Sequence, residues 1–408
     1  MTRARRIALL MLVAGLSLLP AGCSQSGCSG TGFGSSGGSS NGTSGGAPGS
    51  GGVCGSSGGG GNNGSISDFL YYLGQPDSQT NSLQGVTLSA TGTFAAISTF
   101  TAPTFALDSS QNLLIVNKQF LYVPQPTLNQ IQAFAINRTT GALTPISGSP
   151  FPTLGGSYLA ADPQGRFLFL GDSSSGAISV FQINATSGAL TLNPSSPFPS
   201  GLLFSAFPTV DGQGQYLFVN QGSGVLNTGV YAIDQTSGGI QAIAGSPFPP
   251  SLYYGQIASP TGAASEFFVG FSFLSGDNNL YVSSVATASG TPTPVTNSPF
   301  ATANAPYWLA IHPSGKFVYS FEEDSQRNLQ PFEGFQLNST SGALTAIAGS
   351  PFTNLASIVY CEFDQGGTAF CETATGLMVV AVDATTGVPS NSIPQLSVAN
   401  NPIFAVTN

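Results

Sequence analysis

The chain has 408 residues, of which 6% are charged, while Gly (53) and Pro (28) are abundant. Soluble proteins typically carry about 25% charged residues, and Gly and Pro concentrate in tight turns, so the composition predicts an all-β protein with many turns. The formal net charge is −9, and three of the eight basic residues (Arg3, Arg5 and Arg6) cluster at the N-terminus. The five scattered ones that remain cannot neutralise a row of phosphates, which excludes nucleic acid as a partner.

Residues 1–22 predict a lipoprotein-type signal peptide. A basic start precedes an apolar run, Ile7 to Leu19, that is too short to span a bilayer. The ending "LPAGC" resembles the lipobox of bacterial lipoproteins, although Pro20 departs from the usual aliphatic or small residue. The resemblance implies that Cys23 is lipidated and anchors the protein to a membrane. The alternative is ordinary cleavage of the signal peptide, which would release a free secreted protein.

Residues 23–65 predict a disordered tether. The segment is almost wholly Gly, Ser, Asn and Thr, so it has too few apolar side chains to offset the entropy of ordering. A Gly-rich chain of about 40 residues has a root-mean-square span of about 35 Å, enough to hold a domain clear of a surface. Cys28 and Cys54 lie in this tether, and their pairing stays open. Export to the cell envelope, at the outer membrane or cell surface, is the expected location.

Residues 66–408 predict one repeat domain. It opens with three strand-like runs, "FLYYLG", "SLQGVTLSA" and "GTFAAIS", with no further strand before them. An eleven-residue cassette of the type "GALTAIAGSPF" then recurs five times. The copies end at Phe151, Phe198, Phe248, Phe300 and Phe352.

Each repeat unit predicts four antiparallel strands. In the unit from Tyr158 to Phe198 these are "YLAAD", "RFLFLGD", "AISVFQIN" and "ALTLN", and none has a sustained helical period. The recurring loop from Asn184 to Gly188 predicts a hairpin turn, in which the Asn side chain accepts a backbone bond and the Gly takes positive φ. The "SPF" that follows ends the outer strand, because Pro cannot donate to a ladder.

Four strands every 45 to 50 residues are typical of β-propeller blades. Five cassettes close five blades, and a sixth runs from about Leu355 to Gln395. The C-terminal "NPIFAVTN" is then a lone strand, which we expect to complete a seventh blade with the runs that begin at Asp68. Such pairing hides the edges that an open array exposes. Six or eight blades would require a miscount of the weak first blade.

A hairpin holds two cysteines in "IVYCEFDQGGTAFCET". If the hairpin centres on Gly366, Cys361 and Cys371 face each other across the ladder and predict a disulfide in an oxidising compartment. A slip of one residue would place them on opposite faces as two buried thiols.

The residues at turn and packing positions carry a family resemblance. The strings "HPSGKFVYS" (His312 to Ser320), "DPQGRFLFL" and "TSGALTAIAGSPF" resemble bacterial propellers of the lactonase-like superfamily, which includes six-phosphogluconolactonases. The resemblance covers about Asp68 to Asn408. It implies a seven-bladed propeller of four-stranded antiparallel blades, with any ligand site on one face near the central channel. Fold alone does not establish function.

Polar residues that could carry chemistry are few. His312, the single histidine, holds the turn position that Asp162 holds in another repeat, which favours a structural role. Trp308 lies on a predicted inner strand and is interpreted as core or channel lining. Carboxylates that follow second strands should share one face of the ring, and we expect a ligand-binding set there: Asp172, Glu322, Glu323, Asp324, Arg327 and Glu372. The alternative is a solvated charged loop.

Two functions follow from this sequence. The scarcity of His, Lys and Arg favours a non-catalytic, envelope-anchored binding or scaffold module, expected to be monomeric and to bind a protein, peptide or glycan. The alternative, implied by the resemblance, is an exported lactone hydrolase with Glu322, Arg327, Glu372 and His312 as catalytic candidates, since lactone opening needs a base and an oxyanion donor. The sequence shows no spaced motif for a metal or a cofactor, so neither is predicted.

Overall fold

The computed structural model describes most of the repeat domain. The described residues are 68–74, 80–88, 94–97, 104–106, 112–172, 174–202, 205–221, 227–249, 254–260, 265–272, 276–355, 358–373, 376–391, 396–397 and 403–406. The predicted signal peptide, the lipidation at Cys23, the tether, Cys28 and Cys54 all lie outside these residues.

Seven antiparallel sheets form a ring, so the all-β, seven-bladed propeller is confirmed. We number the blades from the N-terminal end. Blade 1 contains Asp68–Gly74 (β1), Thr80–Leu88 (β2), Phe94–Ala96 (β3), Thr104–Ala106 (β4) and, from far along the chain, Ile403–Val406 (β33). Blade 2 contains Leu114–Val116 (β5), Phe120–Gln125 (β6), Gln130–Ile136 (β7), Leu143–Pro145 (β8) and Phe151–Pro152 (β9). Blade 3 contains Tyr158–Ala161 (β10), Phe167–Asp172 (β11), Ala177–Ile183 (β12), Leu190–Leu192 (β13) and Phe198–Pro199 (β14).

The remaining blades repeat this order. Blade 4 contains Ser205–Val210 (β15), Tyr216–Gln221 (β16), Thr228–Ile233 (β17) and Ile240–Ala242 (β18). Blade 5 contains Tyr254–Ala258 (β19), Glu266–Phe271 (β20), Asn279–Val285 (β21), Pro292–Pro294 (β22) and Phe300–Ala301 (β23). Blade 6 contains Ala305–Ile311 (β24), Phe317–Glu323 (β25), Glu333–Leu337 (β26) and Leu344–Ala346 (β27). Blade 7 contains Ile358–Phe363 (β28), Ala369–Thr373 (β29), Gly376–Val382 (β30), Pro389–Asn391 (β31) and Leu396–Ser397 (β32). Two single 3-10 turns lie at Pro126–Leu128 and Thr353–Leu355.

Both ends of the described chain meet in blade 1, as predicted. Strand β33 pairs antiparallel with β1, with Leu70 opposite Val406 and Leu73 opposite Ile403. The strand near Phe69 therefore gains an inner neighbour from the far end of the chain. This pairing completes blade 1 and closes the ring.

The recurring turn folds as its residue types predict. In blade 2 the Oδ1 atom of Asn137 accepts bonds from the backbone N–H groups of Thr139 and Thr140, both at 3.0 Å. Gly141 closes the turn at φ 71°. The hydroxyl of Tyr71, in blade 1, donates to the Gly141 carbonyl at 2.7 Å. The turn thus ends one hairpin and also ties two neighbouring blades together.

The "SPF" segments do more than end the outer strand, which was the expectation from the sequence. Phe151 folds back and pairs with Ile131 on the third strand, and the equivalent Phe198 pairs with Ile178. The preceding Ser149 accepts a bond from Ala133 N–H at 2.9 Å through its Oγ atom. Because the outer strand β8 is only three residues long, it leaves half of β7 uncovered, and the fold-back covers that half.

A disulfide joins Cys361 and Cys371 in blade 7. The two residues lie directly opposite each other on β28 and β29, in the register of a hairpin centred on Gly366. Both are buried among the apolar side chains that fill the space between blades 6 and 7. The link therefore fixes the inner strand of blade 7 to its neighbour.

Candidate functional site

Aromatic side chains close part of the central channel. They come from the inner strands of five consecutive blades: Tyr158, Phe207, Tyr254, Trp308 and Tyr360. Successive ring centroids lie 4.5, 5.3, 4.6 and 5.5 Å apart. We call these five residues the aromatic collar. Trp308 thus lines the channel, as interpreted from the sequence.

A central cavity of about 500 Å³ lies against this collar. Its walls are the inner strands of blades 2 to 7, and it extends towards the turns that follow those strands, where Ser259, His312 and Pro313 border it. Four of the five collar rings form its floor. The volume is within the range of about 300 to 1,000 Å³ that is typical of small-molecule sites.

Glu362 and Gln256 are the long polar side chains on the cavity wall. Glu362 follows Tyr360 by two positions, and Gln256 follows Tyr254 by two positions. Because residues two apart lie on the same side of a strand, both side chains lie on the side of the collar rings. Both residues border the cavity and are half-buried. The Nε2 atom of Gln256 donates to the Tyr254 hydroxyl at 2.6 Å, which orients the amide.

The cavity wall is acidic to neutral. Among the described residues that line it, Glu362 is the one carboxylate and there is no Lys or Arg. Asn112 does not reach across the cavity, because its amide exchanges two bonds with the backbone of Leu159 in the next blade. The wall therefore offers hydrogen bonds and one negative charge to a ligand, and no cation.

His312 lies at the cavity mouth and is engaged in its own turn. Its Nδ1 atom accepts a bond from the Ser314 N–H at 3.2 Å and lies 2.8 Å from the Ser314 hydroxyl. The ring packs between Phe317 and Phe363, and burial lowers the pKa of His312 while the charge of Asp364 opposes that shift. The side chain replaces the turn carboxylate Asp162, which accepts bonds from Arg166 N–H and Phe167 N–H in blade 3.

The buried carboxyl group of Glu322 lies near the half-buried carboxyl group of Glu333 at the far end of blade 6. The Oε2 atom of Glu322 accepts from Asn304 N–H at 2.9 Å, and that of Glu333 accepts from Ala303 N–H at 3.0 Å. Burial raises the pKa of Glu322 well above its ordinary value, and the charge of Glu333 adds to the rise. Glu322 therefore favours its protonated form, and the two carboxyl groups together bind the backbone of the segment that leads into blade 6.

Glu323 and Glu372 lie near a different group, Tyr307. The Tyr307 hydroxyl donates to the Val359 carbonyl. Burial raises the pKa of Tyr307, and the negative charges of Glu372 and Glu323 raise it further. Glu372 lies within β29, opposite Tyr360, and not after the strand as the sequence suggested.

The other predicted ligands organise loops. Asp324 accepts bonds from Gln326 N–H and Asn328 N–H, and the bond from the Asn328 amide lowers its pKa. Arg327 is half exposed, with its Nη1 atom 4.0 Å from Glu323 Oε1. Asp172, three blades away, accepts bonds from Ser174 and Ser175.

The predicted catalytic set is not assembled in one place. Glu322 lies opposite Pro306 at one end of the β24–β25 hairpin, while His312 lies at the other end. Pro306 and His312 are six positions apart along this strand, which corresponds to about 20 Å. The central cavity instead brings His312 near Glu362, which the sequence interpretation missed. The signal that could have found Glu362 is its spacing of two from Tyr360 on an inner strand.

Two features are absent from the described part of the chain. No group of three His, Cys, Asp or Glu side chains there is arranged to hold a metal ion. No helix among those residues is both long enough and apolar enough to pass through a membrane.

Comparison with protein families supports the resemblance that was drawn from the turn residues. Residues 67–202 match a family model described as "Lactonase, 7-bladed beta-propeller". The match covers blades 1 to 3, a third of the chain. A search of curated proteins finds no match.

Solved structures of similar fold extend over the whole ring. A periplasmic gluconolactonase of Pseudomonas aeruginosa superposes with a TM-score of 0.60 at 16% identity, covering 83% of this chain and 99% of the other. A candidate 6-phosphogluconolactonase of Bacteroides fragilis gives 0.62 at 14%, covering 84% and 98%. A candidate 6-phosphogluconolactonase of Bacteroides uniformis gives 0.61 at 16%, covering 83% and 98%. At these identities the likeness shows the fold alone.

Proposed function

Taking the chain as a lactonase-like seven-bladed β-propeller, we propose that it hydrolyses an uncharged, hydroxyl-rich lactone bound in the central cavity. The observation that carries the proposal is a carboxylate, Glu362, on the wall of a cavity with an aromatic floor. The matched family model and the gluconolactonase of similar fold support the reaction class.

The chemistry needs a base and a donor. In the proposed reaction Glu362 takes a proton from water, and the resulting hydroxide attacks the ring carbonyl carbon. The ring C–O bond then breaks, and the departing oxygen takes up the proton, which yields an open hydroxy acid. The amide of Gln256, oriented by the Tyr254 hydroxyl, is the donor that would bind the developing oxyanion.

The charge of the cavity favours a neutral substrate. A phosphorylated sugar is normally held by Arg or Lys, and the described cavity lining contains neither. The Glu362 carboxylate would also repel a phosphate at close range. Glucono-1,5-lactone is therefore the better probe, and its 6-phosphate is the comparison.

The test is lactone hydrolysis by the purified protein, corrected for spontaneous opening. We expect Glu362→Gln to lower kcat by about 100-fold or more, the usual contribution of a general base. Glu323→Gln is the matched control, because it removes a carboxylate on the opposite end of the blades, and we expect its activity to stay within about twofold of wild type.

Two results would reject the proposal. Equal loss of activity in both variants would show that Glu362 has no special role. Saturable sugar binding without turnover would instead support the non-catalytic binding module.

The non-catalytic binding module is the second candidate function. It is favoured by the hydrogen bonding of His312 within its own turn, which leaves Glu362 as the described carboxylate that borders the cavity.

A further inference from the structure

A second pocket opens from the central cavity between blades 5 and 7. It has a volume of about 290 Å³. Four residues border both spaces: Gln256, Ile311, Pro313 and Glu362. The side pocket, as we call it, is therefore continuous with the place where Glu362 would act, and it adds space that a single sugar ring does not need.

A small residue makes room for the side pocket. Ala310 lies on the inner strand of blade 6, between the strands that carry Gln256 and Glu362. Ala310 follows the collar residue Trp308 by two positions, just as Gln256 and Glu362 each follow a collar residue by two positions. A longer side chain at position 310 would extend into the space between Gln256 and Glu362.

The walls of the side pocket suit a hydroxylated ring. Amide and carboxylate groups of Gln256, Glu362 and Gln365 border it, together with the apolar faces of Ile311 and Pro313. A pyranose has the same combination of hydroxyl groups and apolar C–H faces. No Lys or Arg lines the pocket among the described residues, and Asp364 adjoins it, so an anionic substituent is disfavoured.

We infer that the preferred substrate is a lactone that carries a second, neutral sugar ring, and that the side pocket binds this ring. The inference rests on the proposed function, because it places the lactone ring in the central cavity beside Glu362. It adds a substrate class, the lactones of disaccharides, and assigns Ala310 and Gln365 as specificity-determining residues.

The experiment compares full-length protein on glucono-1,5-lactone and on the lactones derived from maltose, cellobiose and lactose. We expect at least one two-ring lactone to have a kcat/KM about tenfold above that of the single-ring lactone. Gln365→Trp should abolish this preference, while hydrolysis of the single-ring lactone stays within about twofold. Gln365 is exposed in the turn from Asp364 to Gly367, and it borders the side pocket and not the central cavity, so the variant should fold.

Ala310→Val is the second variant, and it should lower the preference in the same direction. If the single-ring lactone is turned over as well as every two-ring lactone, and Gln365→Trp leaves the ratio unchanged, the inference is wrong while the proposed function stands. If no lactone is hydrolysed, the proposed function fails, and calorimetry decides the inference. Binding of a disaccharide about tenfold tighter than glucose, lost in Gln365→Trp, would support the second-ring site, and equal affinities would overturn it.

Discussion

The pKa values of individual carboxyl groups in this protein shift in opposite directions according to their burial. Glu322 is buried at the end of a strand beside Glu333, and burial raises its pKa. Asp324, two residues later, lies in a solvated turn whose amide donors lower its pKa. Neighbouring acids in "FEED" therefore favour different protonation states, which the residue types alone do not reveal.

The pH dependence of stability should expose the Glu322 pair. Because the folded pKa is raised, the folded state holds a proton that the unfolded state releases above about pH 4.3. The contribution to stability is thus complete below that pH and is lost as pH rises towards the folded pKa. Urea unfolding should show Glu322→Gln more stable than wild type at pH 8 by about 1 kcal/mol or more, with little difference at pH 4.

Asp324→Asn is the control for this prediction. The lowered pKa of Asp324 contributes stability above its unfolded pKa, and this contribution is lost as pH falls. The control should therefore be no more stable than wild type at pH 8. A Glu322→Gln variant that lost stability at pH 8 would contradict a raised pKa for the buried Glu322.

At the scale of elements, the hairpin turns join neighbouring blades through their glycines. Gly188 has φ 72°, and a Cβ atom there would lie 2.4 Å from Phe120 Cδ1 in the preceding blade. The Tyr122 hydroxyl of that blade also donates to the Gly188 carbonyl at 2.8 Å. Glycine is required here both by the backbone conformation and by the close approach of the preceding blade.

Two alanine substitutions separate these requirements. Gly201 has nearly the same φ, 71°, but a Cβ atom there would have no neighbour within 4 Å. We expect Gly201→Ala to lower the free energy of unfolding by about 1 kcal/mol, the cost of the left-handed conformation. Gly188→Ala should cost about 1–3 kcal/mol more, because Phe120 must move. Equal costs in urea unfolding would show that the contact between blades is unimportant.

At the scale of the whole molecule, ring closure depends on four residues at 403–406. They pair with β1 and give blade 1 its inner strand. Without them, the N–H and C=O groups along one edge of β1 would be exposed, and an exposed edge invites pairing with other chains.

Truncation tests this dependence. Removal of residues 403–408 should lower the unfolding midpoint and produce concentration-dependent association in size-exclusion chromatography. Removal of residues 407–408 alone is the matched control, because the observed pairing ends at Val406. A monomeric long truncation with the wild-type midpoint would mean that closure contributes little.

The fold was largely predictable from sequence because its signals are local. The turn from Asn137 to Gly141 forms its bonds within five residues, and the unpaired run at 403–406 required a partner. The fold-back of Phe151 was not predictable in the same way, because it depends on how much of β7 the short β8 leaves uncovered.

The site was less predictable because it depends on direction and register. Glu372 was placed after its strand, but the blade 7 hairpin and its bulge set it opposite Tyr360. Glu362 was missed because recognising it requires knowing which side of β28 faces the channel. The packing of Tyr360 against Trp308 supplies that information only in three dimensions.

The pairing of Leu73 with Ile403 joins positions 330 residues apart. During synthesis the first sheet therefore stays incomplete until residues 403–406 have left the ribosome. A nascent chain from which six blades have already emerged still has an unpaired edge on β1, so the sheet that begins first along the chain is the last one to be completed.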